Sequence, residues 1–121
     1  MPQIRVEYSE SLADAFDRQG FALALHPAAA EVIGSSVPAF KTRFRTTGET
    51  VIADGDPSQA MIHLEVAILP GRDEETKDRL GELILTLLTD HLKPTPELTI
   101  QLTVEIRDLA NYHKRVLGSV S

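Results

Sequence analysis

The sequence predicts an α+β fold in which two βαβ units form one four-stranded mixed sheet with two helices on one face. Three observations support this prediction. Four segments alternate between apolar and polar residues with the period of a strand, at residues 2–8, 38–47, 61–69 and 98–107. Two segments between them have apolar residues at helical spacing, at residues 11–33 and 73–92. A strong turn signal, Asp54-Gly55-Asp56-Pro57-Ser58, separates the two halves.

The first half, about residues 1–57, has one strand, one interrupted helix and a second strand. In the first strand Ile4, Val6 and Tyr8 point to one side of the sheet. The helical spacing from residue 11 to residue 33 is broken at Gly20, and Pro27 predicts a kink or a fresh start. The run Gly34-Ser35-Ser36 is typical of a helix C-terminus followed by a loop.

The second half, about residues 58–107, repeats this order with a clearer pattern. Asp73 is expected to cap a helix, because its side chain can accept a backbone hydrogen bond and Glu74 and Glu75 follow it in the first turn. Lys93-Pro94 is expected to stop that helix. The tail, residues 108–121, has a weak pattern that fits either a short helix or an arm. The chain is therefore interpreted as a single domain, residues 1–121, whose two halves repeat the same strand–helix–strand pattern by internal duplication.

Length, charge and cysteine content exclude several classes of function. A chain of 121 residues has room for one ordinary core. Its 12 Lys and Arg against 18 Asp and Glu give a net charge of −6, which argues against binding to nucleic acid or to an anionic membrane. The absence of cysteine excludes disulfides, thiol catalysis and cysteine-based metal sites. The first residues do not resemble a targeting peptide, so a cytoplasmic location is expected.

The sheet face that points away from the helices is expected to be polar. Exposed backbone at sheet edges and a helical layer on only one side favour association between copies of the chain. An oligomer is therefore expected. The polar residues predicted on this face are Gln3, Arg5, Glu7, His63, Glu65, Thr99, Gln101, Thr103 and Glu105.

Pro2 is the first candidate for a catalytic group. If Met1 is removed, as is usual before a small second residue, Pro2 becomes a free secondary amine at the start of a strand. An N-terminal amine can act as a base near neutral pH, and an apolar pocket or nearby cations lower its pKa further. The alternative is that position 2 simply tolerates proline.

Four cations are candidates for binding an anionic substrate. Lys41, Arg43 and Arg45 share one face of a strand, and Arg72 stands directly before a helix N-terminus, where backbone N–H groups favour anions. The alternatives are a solvated strand face and an ordinary surface charge. If the third strand runs antiparallel to the first, Pro2, Lys41 and Arg72 meet at one end of the sheet. This is the arrangement that proton transfer on a carboxylate substrate requires.

The remaining motifs give no support to other chemistries. The four histidines have no metal-binding spacing, so no metal site is expected among His26, His63, His91 and His113. His63, on the polar sheet face, is interpreted as structural. The sequence contains no glycine-rich phosphate loop, no GxSxG motif and no paired-carboxylate motif.

With Pro2 at the start of the first strand and this order of elements, the chain resembles the tautomerase superfamily, and within it the 5-carboxymethyl-2-hydroxymuconate isomerase family. The resemblance covers most of the chain up to Arg107. It rests on the segments MPQIRVEYSESL, VPAFKTRFR, the ADG turn at 53–55, MIHLEV and PGRDEETKDRLGELILTLL.

The resemblance implies a cofactor-free homotrimer whose sheets surround a central channel. It implies that Pro2 is the general base and acid, that Arg72 binds a substrate carboxylate, and that the substrate is a 2-hydroxymuconate. Lys41 stands where the family has a second arginine, and lysine keeps the charge but loses the bidentate fork. Arg43 and Arg45 are candidates to compensate. Two alternatives stay open: a non-catalytic trimeric binding or scaffold protein, and a tautomerase with hydratase or decarboxylase-type activity.

Overall fold

The computed structural model of the chain describes residues 2–118 and contains one four-stranded mixed sheet, which confirms the predicted α+β class. The order across the sheet is β2-β1-β3-β4. The pairs β1–β2 and β3–β4 are parallel, and β1 and β3 are antiparallel neighbours. Two βαβ units are therefore joined side by side through the first strand of each. The elements are β1 (Gln3–Ser9), α1 (Arg18–Ile33), β2 (Lys41–Thr47), β3 (Gln59–Ile68), α2 (Glu74–Asp90) and β4 (Thr99–Asp108).

The core lies between the sheet and the two helices, which share one face. The helix-facing residues of β1 and β3 are almost fully buried, as the alternation predicts: Ile4 and Val6 are each 1% exposed, and Leu64 is 0% exposed. The two outer strands are covered less completely, since Phe44 on β2 and Val104 on β4 are only partly buried. Within residues 2–118, β2 and β4 each have only one neighbouring strand. The outer edges of these two strands are therefore unpaired in the described part of the chain.

Helix α1 is shorter than the helical spacing predicts. It begins at Arg18, after Asp17 accepts a hydrogen bond from the Gly20 N–H at 3.1 Å. The prediction of helix from residue 11 is therefore wrong for its first part, where only Glu10–Leu12 form a short 3₁₀ turn. Pro27 lies inside one continuous helix and starts no new one. The helix ends as predicted at Gly34, whose φ of 66° favours glycine.

Helix α2 and the tail complete the fold. Asp73 caps α2 as predicted, accepting from the Thr76 N–H at 2.9 Å. Neither α1 nor α2, the helices in the described part of the chain, is long and apolar enough to cross a membrane. Residues 109–118 form no helix or strand, so this part of the tail is an arm. Met1 and residues 119–121 lie outside the described residues.

Candidate active site

Pro2 lies at one end of the sheet, directly before β1. It is buried, and its carbonyl oxygen accepts a hydrogen bond from the Lys41 N–H at 3.4 Å. In the sheet register Gln3, the next residue, stands between Lys41 of β2 and Ala67 of β3. Because β3 runs antiparallel to β1, its last residues also lie at this end. The expected direction of the third strand is therefore correct, and this region is called the Pro2 end of the sheet.

Arg72 reaches the Pro2 end in the loop after β3, and its guanidinium group is held by backbone carbonyls. Nε and Nη2 both donate to the Ile33 carbonyl oxygen, at 3.2 and 2.9 Å, and Nη1 donates to the Leu69 carbonyl oxygen at 2.9 Å. Ile33 is the last residue of α1, so Arg72 ties the C-terminus of that helix to the end of β3. Three of the five guanidinium N–H groups are used in these bonds, and two N–H groups remain to donate to a carboxylate.

The cations of β2 share the exposed outer face of the sheet but lie at different distances from Pro2. Lys41 is at the level of Gln3, and its Nζ donates to the Ala39 carbonyl oxygen at 3.2 Å. Arg43 is next to Arg5, and Arg45 is next to Glu7. At a strand rise of about 3.3 Å per residue, Arg43 is about 7 Å and Arg45 about 13 Å farther along the strand than Lys41. Of these three cations, Lys41 is the one beside Pro2.

Arg43 and Arg45 have no carboxylate partner within 4.0 Å among residues 2–118. A shallow pocket on the outer face is lined by both of them together with Arg5 and Glu7. Neighbouring guanidinium groups repel one another and attract anions. The pocket therefore combines three arginines with one glutamate, and it begins two residues away from Lys41.

The centre of the outer face holds an ion-pair network that the sequence pattern does not reveal. Glu65 accepts from Arg5 Nη2 at 3.0 Å and from Arg107 Nη2 at 2.6 Å. The hydrogen bond from Arg5 lowers the pKa of Glu65, and the positive charge of Arg107 acts in the same direction. His63 and Glu105 lie close enough to Glu65 to share a cation with it. Since two guanidinium groups already bind Glu65, we assign this cluster a structural role.

The histidines lie on separate elements. His26 Nε2 is 2.8 Å from Thr42 Oγ1, and burial lowers the pKa of this histidine. His63 Nδ1 is 2.7 Å from Thr103 Oγ1, which fits the structural role predicted for it. His91 Nδ1 is 2.7 Å from the Leu87 carbonyl oxygen within α2. Each of these three rings therefore has a hydrogen-bond partner within the chain.

Comparison with known proteins identifies the family. A family model described as 5-carboxymethyl-2-hydroxymuconate isomerase matches residues 2–116, from Pro2 into the tail. The 5-carboxymethyl-2-hydroxymuconate Delta-isomerase of Escherichia coli is 26% identical over 110 residues, which cover 90% of this chain and 87% of that protein. The family model therefore also matches tail residues beyond Arg107, although the resemblance described from the sequence stops at Arg107.

Solved structures agree with this result. The crystal structure of a 5-carboxymethyl-2-hydroxymuconate isomerase from Deinococcus radiodurans R1 has a TM-score of 0.82 at 25% identity, covering 94% of this chain and 88% of that one. A fused 4-OT described as a symmetric trimer has a TM-score of 0.71 at 14% identity, covering 94% and 92%. The second likeness shows the fold alone. The chain belongs to the 5-carboxymethyl-2-hydroxymuconate isomerase family and is an isomerase of the tautomerase fold.

Proposed function

We propose that the protein is a cofactor-free isomerase that moves a proton within an unsaturated 2-hydroxy or 2-oxo carboxylate such as 5-carboxymethyl-2-hydroxymuconate. The proposal is supported by the position of Pro2, of Lys41 and of the loop that holds Arg72 at the same end of the sheet, in a chain whose family match begins at Pro2. Burial and neighbouring cations both favour the neutral form of an amine, and the neutral form is the one that accepts a proton.

In the proposed mechanism the Pro2 nitrogen is both base and acid. The neutral secondary amine accepts the proton of the substrate 2-hydroxyl, the C2–O bond becomes a carbonyl, and the conjugated double bonds shift along the chain. The amine then returns the same proton to a carbon atom. The reaction leaves the composition of the substrate unchanged, so it needs no electron carrier or second substrate.

Lys41 and Arg72 are proposed to bind the carboxylates of the substrate and to polarise its 2-oxo group. The two N–H groups of Arg72 that the backbone carbonyls leave free suit one carboxylate. Arg43 is proposed as a further substrate-binding residue, since it lacks a carboxylate partner among the described residues and lies two positions beyond Lys41.

The protein is proposed to act as a homotrimer, and its cytoplasmic location stays a prediction. Two features support the trimer: the unpaired outer edges of β2 and β4 in the described chain, and the fold shared with a fused 4-OT described as a symmetric trimer. The non-catalytic scaffold is not favoured, because the family and the Escherichia coli relative are named as isomerases.

A substrate panel tests the proposed function. The purified protein is incubated with 5-carboxymethyl-2-hydroxymuconate and, separately, with unsaturated acids that report hydration or decarboxylation. The ultraviolet spectrum and the product mass are recorded. We expect a spectral change at constant mass with the muconate. A gain of water or a loss of carbon dioxide would instead assign hydratase or decarboxylase activity, and no reaction with any acid would support the scaffold.

Lys41→Arg is expected to improve substrate binding, because it restores the bidentate fork at the position where the family resemblance implies an arginine. We expect KM for the muconate to fall severalfold with little change in kcat, since the carboxylate contact is the same in the ground and transition states. Lys93→Arg, an equivalent change after α2, is the control. An unchanged or higher KM for Lys41→Arg would place the substrate carboxylate elsewhere.

A further inference from the structure

The arm after β4 starts at the Pro2 end of the sheet, because β4 is parallel to β3 and ends beside it. The Leu109 N–H donates to the Ile68 carbonyl oxygen at 2.7 Å, so the chain still follows β3 after β4 has ended. Asn111 then adopts a φ of 49°, a left-handed conformation that asparagine tolerates better than most residues. This turn allows the arm to cross the end of β3 and to reach β1, two strands away from β4.

Tyr112 is the residue of the arm that contacts β1. Its hydroxyl oxygen accepts a hydrogen bond from Gln3 Nε2 at 3.0 Å, and Gln3 directly follows Pro2. A tyrosine hydroxyl can accept and donate at the same time. The bond from Gln3 uses its acceptor capacity, so the hydroxyl proton of Tyr112 remains able to donate to a second oxygen.

The surroundings of this hydroxyl favour an anionic partner. Gln3 stands in one cross-strand row with Lys41 and, through Ala67, with Arg107, whose guanidinium group also binds Glu65. The next residues of the arm are His113, Lys114 and Arg115, which are all exposed. The arm therefore adds a half-buried hydroxyl donor and further basic residues to the end of the sheet where Pro2 lies.

We propose that Tyr112 is a substrate-binding residue, which donates its hydroxyl proton to a carboxylate oxygen of the substrate while Gln3 holds the phenol ring in place. This inference rests on the proposed function for the identity of the substrate but not for the existence of the subsite. The arm of residues 109–115 thus forms one wall of the site, and Tyr112 selects acids long enough to reach from Pro2 to this wall.

Binding of adipate, a saturated six-carbon dicarboxylate that cannot isomerise, tests this subsite without any turnover. Dissociation constants are measured by calorimetry at low salt for the wild-type chain, for Tyr112→Phe and for Thr50→Val. The control variant loses another side-chain hydrogen bond of a hydroxyl group, to Thr47 at 2.6 Å, at the opposite end of β2. Since a hydrogen bond to a charged group is lost, Tyr112→Phe should weaken adipate binding about tenfold, and Thr50→Val should leave it unchanged.

Tyrosine fluorescence supplies a second measurement. If Tyr112 had only a structural role, adipate would not change its emission. The chain has two tyrosines and no tryptophan, and Tyr8 is buried in the core. Adipate should change the emission of the wild-type chain and leave that of Tyr112→Phe unaltered, with both proteins melting at similar temperatures. Equal affinities for the wild type and Tyr112→Phe, or no binding of adipate at all, would overturn the subsite.

The outcome is independent of catalysis. A wild-type chain that binds adipate through Tyr112 but does not turn over the muconate would contradict the proposed function and keep the subsite. If the wild-type chain turns over the muconate and Tyr112→Phe binds adipate normally, the proposed function stands and the Tyr112 subsite is refuted.

Discussion

Replacing Pro2 with alanine should lower kcat for the muconate by about 10²–10⁴-fold, which is the usual contribution of a general base or acid. Alanine leaves a primary amine without the fixed pyrrolidine ring, so the proton acceptor is held less firmly in place. The measurement is the ultraviolet absorbance change of 5-carboxymethyl-2-hydroxymuconate under saturating substrate.

The fold should survive this change, because the backbone bond from the Lys41 N–H to the carbonyl oxygen of residue 2 does not depend on the side chain. Pro70→Ala is the matched control, since Pro70 is an exposed proline just after β3 and at the same end of the sheet. Full activity of Pro2→Ala, with Pro70→Ala also active, would refute the mechanism.

Replacing Arg72 with alanine should have two effects that can be measured separately. The free energy of unfolding should fall by about 1–3 kcal/mol, because the carbonyl groups of Ile33 and Leu69 lose three hydrogen bonds from a charged donor. The value of kcat/KM for the muconate should fall by about 10²-fold as the substrate carboxylate loses a charged hydrogen-bond partner. Chemical denaturation measures the first effect and steady-state kinetics the second.

Two further variants help to separate the structural role of Arg72 from its role in substrate binding. Arg79→Ala removes an exposed arginine of α2 and should change neither quantity appreciably. Arg72→Lys keeps a charge but cannot donate to two carbonyls and a carboxylate in one plane, so it should recover only part of each effect. If Arg72→Ala lost stability but kept kcat/KM, the residue would be purely structural.

The order of elements could be predicted from the sequence because the sheet has one buried and one exposed face. Ile4, Val6 and Leu64 are buried where the alternation places them. Helix α1 was harder to predict, since Leu12 and Phe16 are buried core residues that lie before the helix begins. Their spacing imitates a helical stripe, while the Asp17 cap sets the true start. Local periodicity cannot separate these two cases.

The candidate site could be predicted only in part, because several of its contacts join distant segments. The proximity of Lys41 to Pro2 follows from strand direction alone. The bonds from Arg72 to the end of α1 span 39 residues, and the bond between Gln3 and Tyr112 spans 109. Neither pair has a local pattern in the sequence. The sequence shows that Arg5 and Arg107 are charged, but it does not show that they share Glu65. That pairing depends on the register of β1, β3 and β4.

In the proposed mechanism a free Pro2 amine transfers the proton. Its most direct test is an intact-mass measurement of the N-terminus on the same preparation in which muconate turnover is measured, with the protein purified from its natural source. We predict a mass that lacks Met1, together with activity that is lost when the N-terminal amine is chemically blocked. Full turnover by a protein that retains Met1 would show that the Pro2 nitrogen is not the proton acceptor.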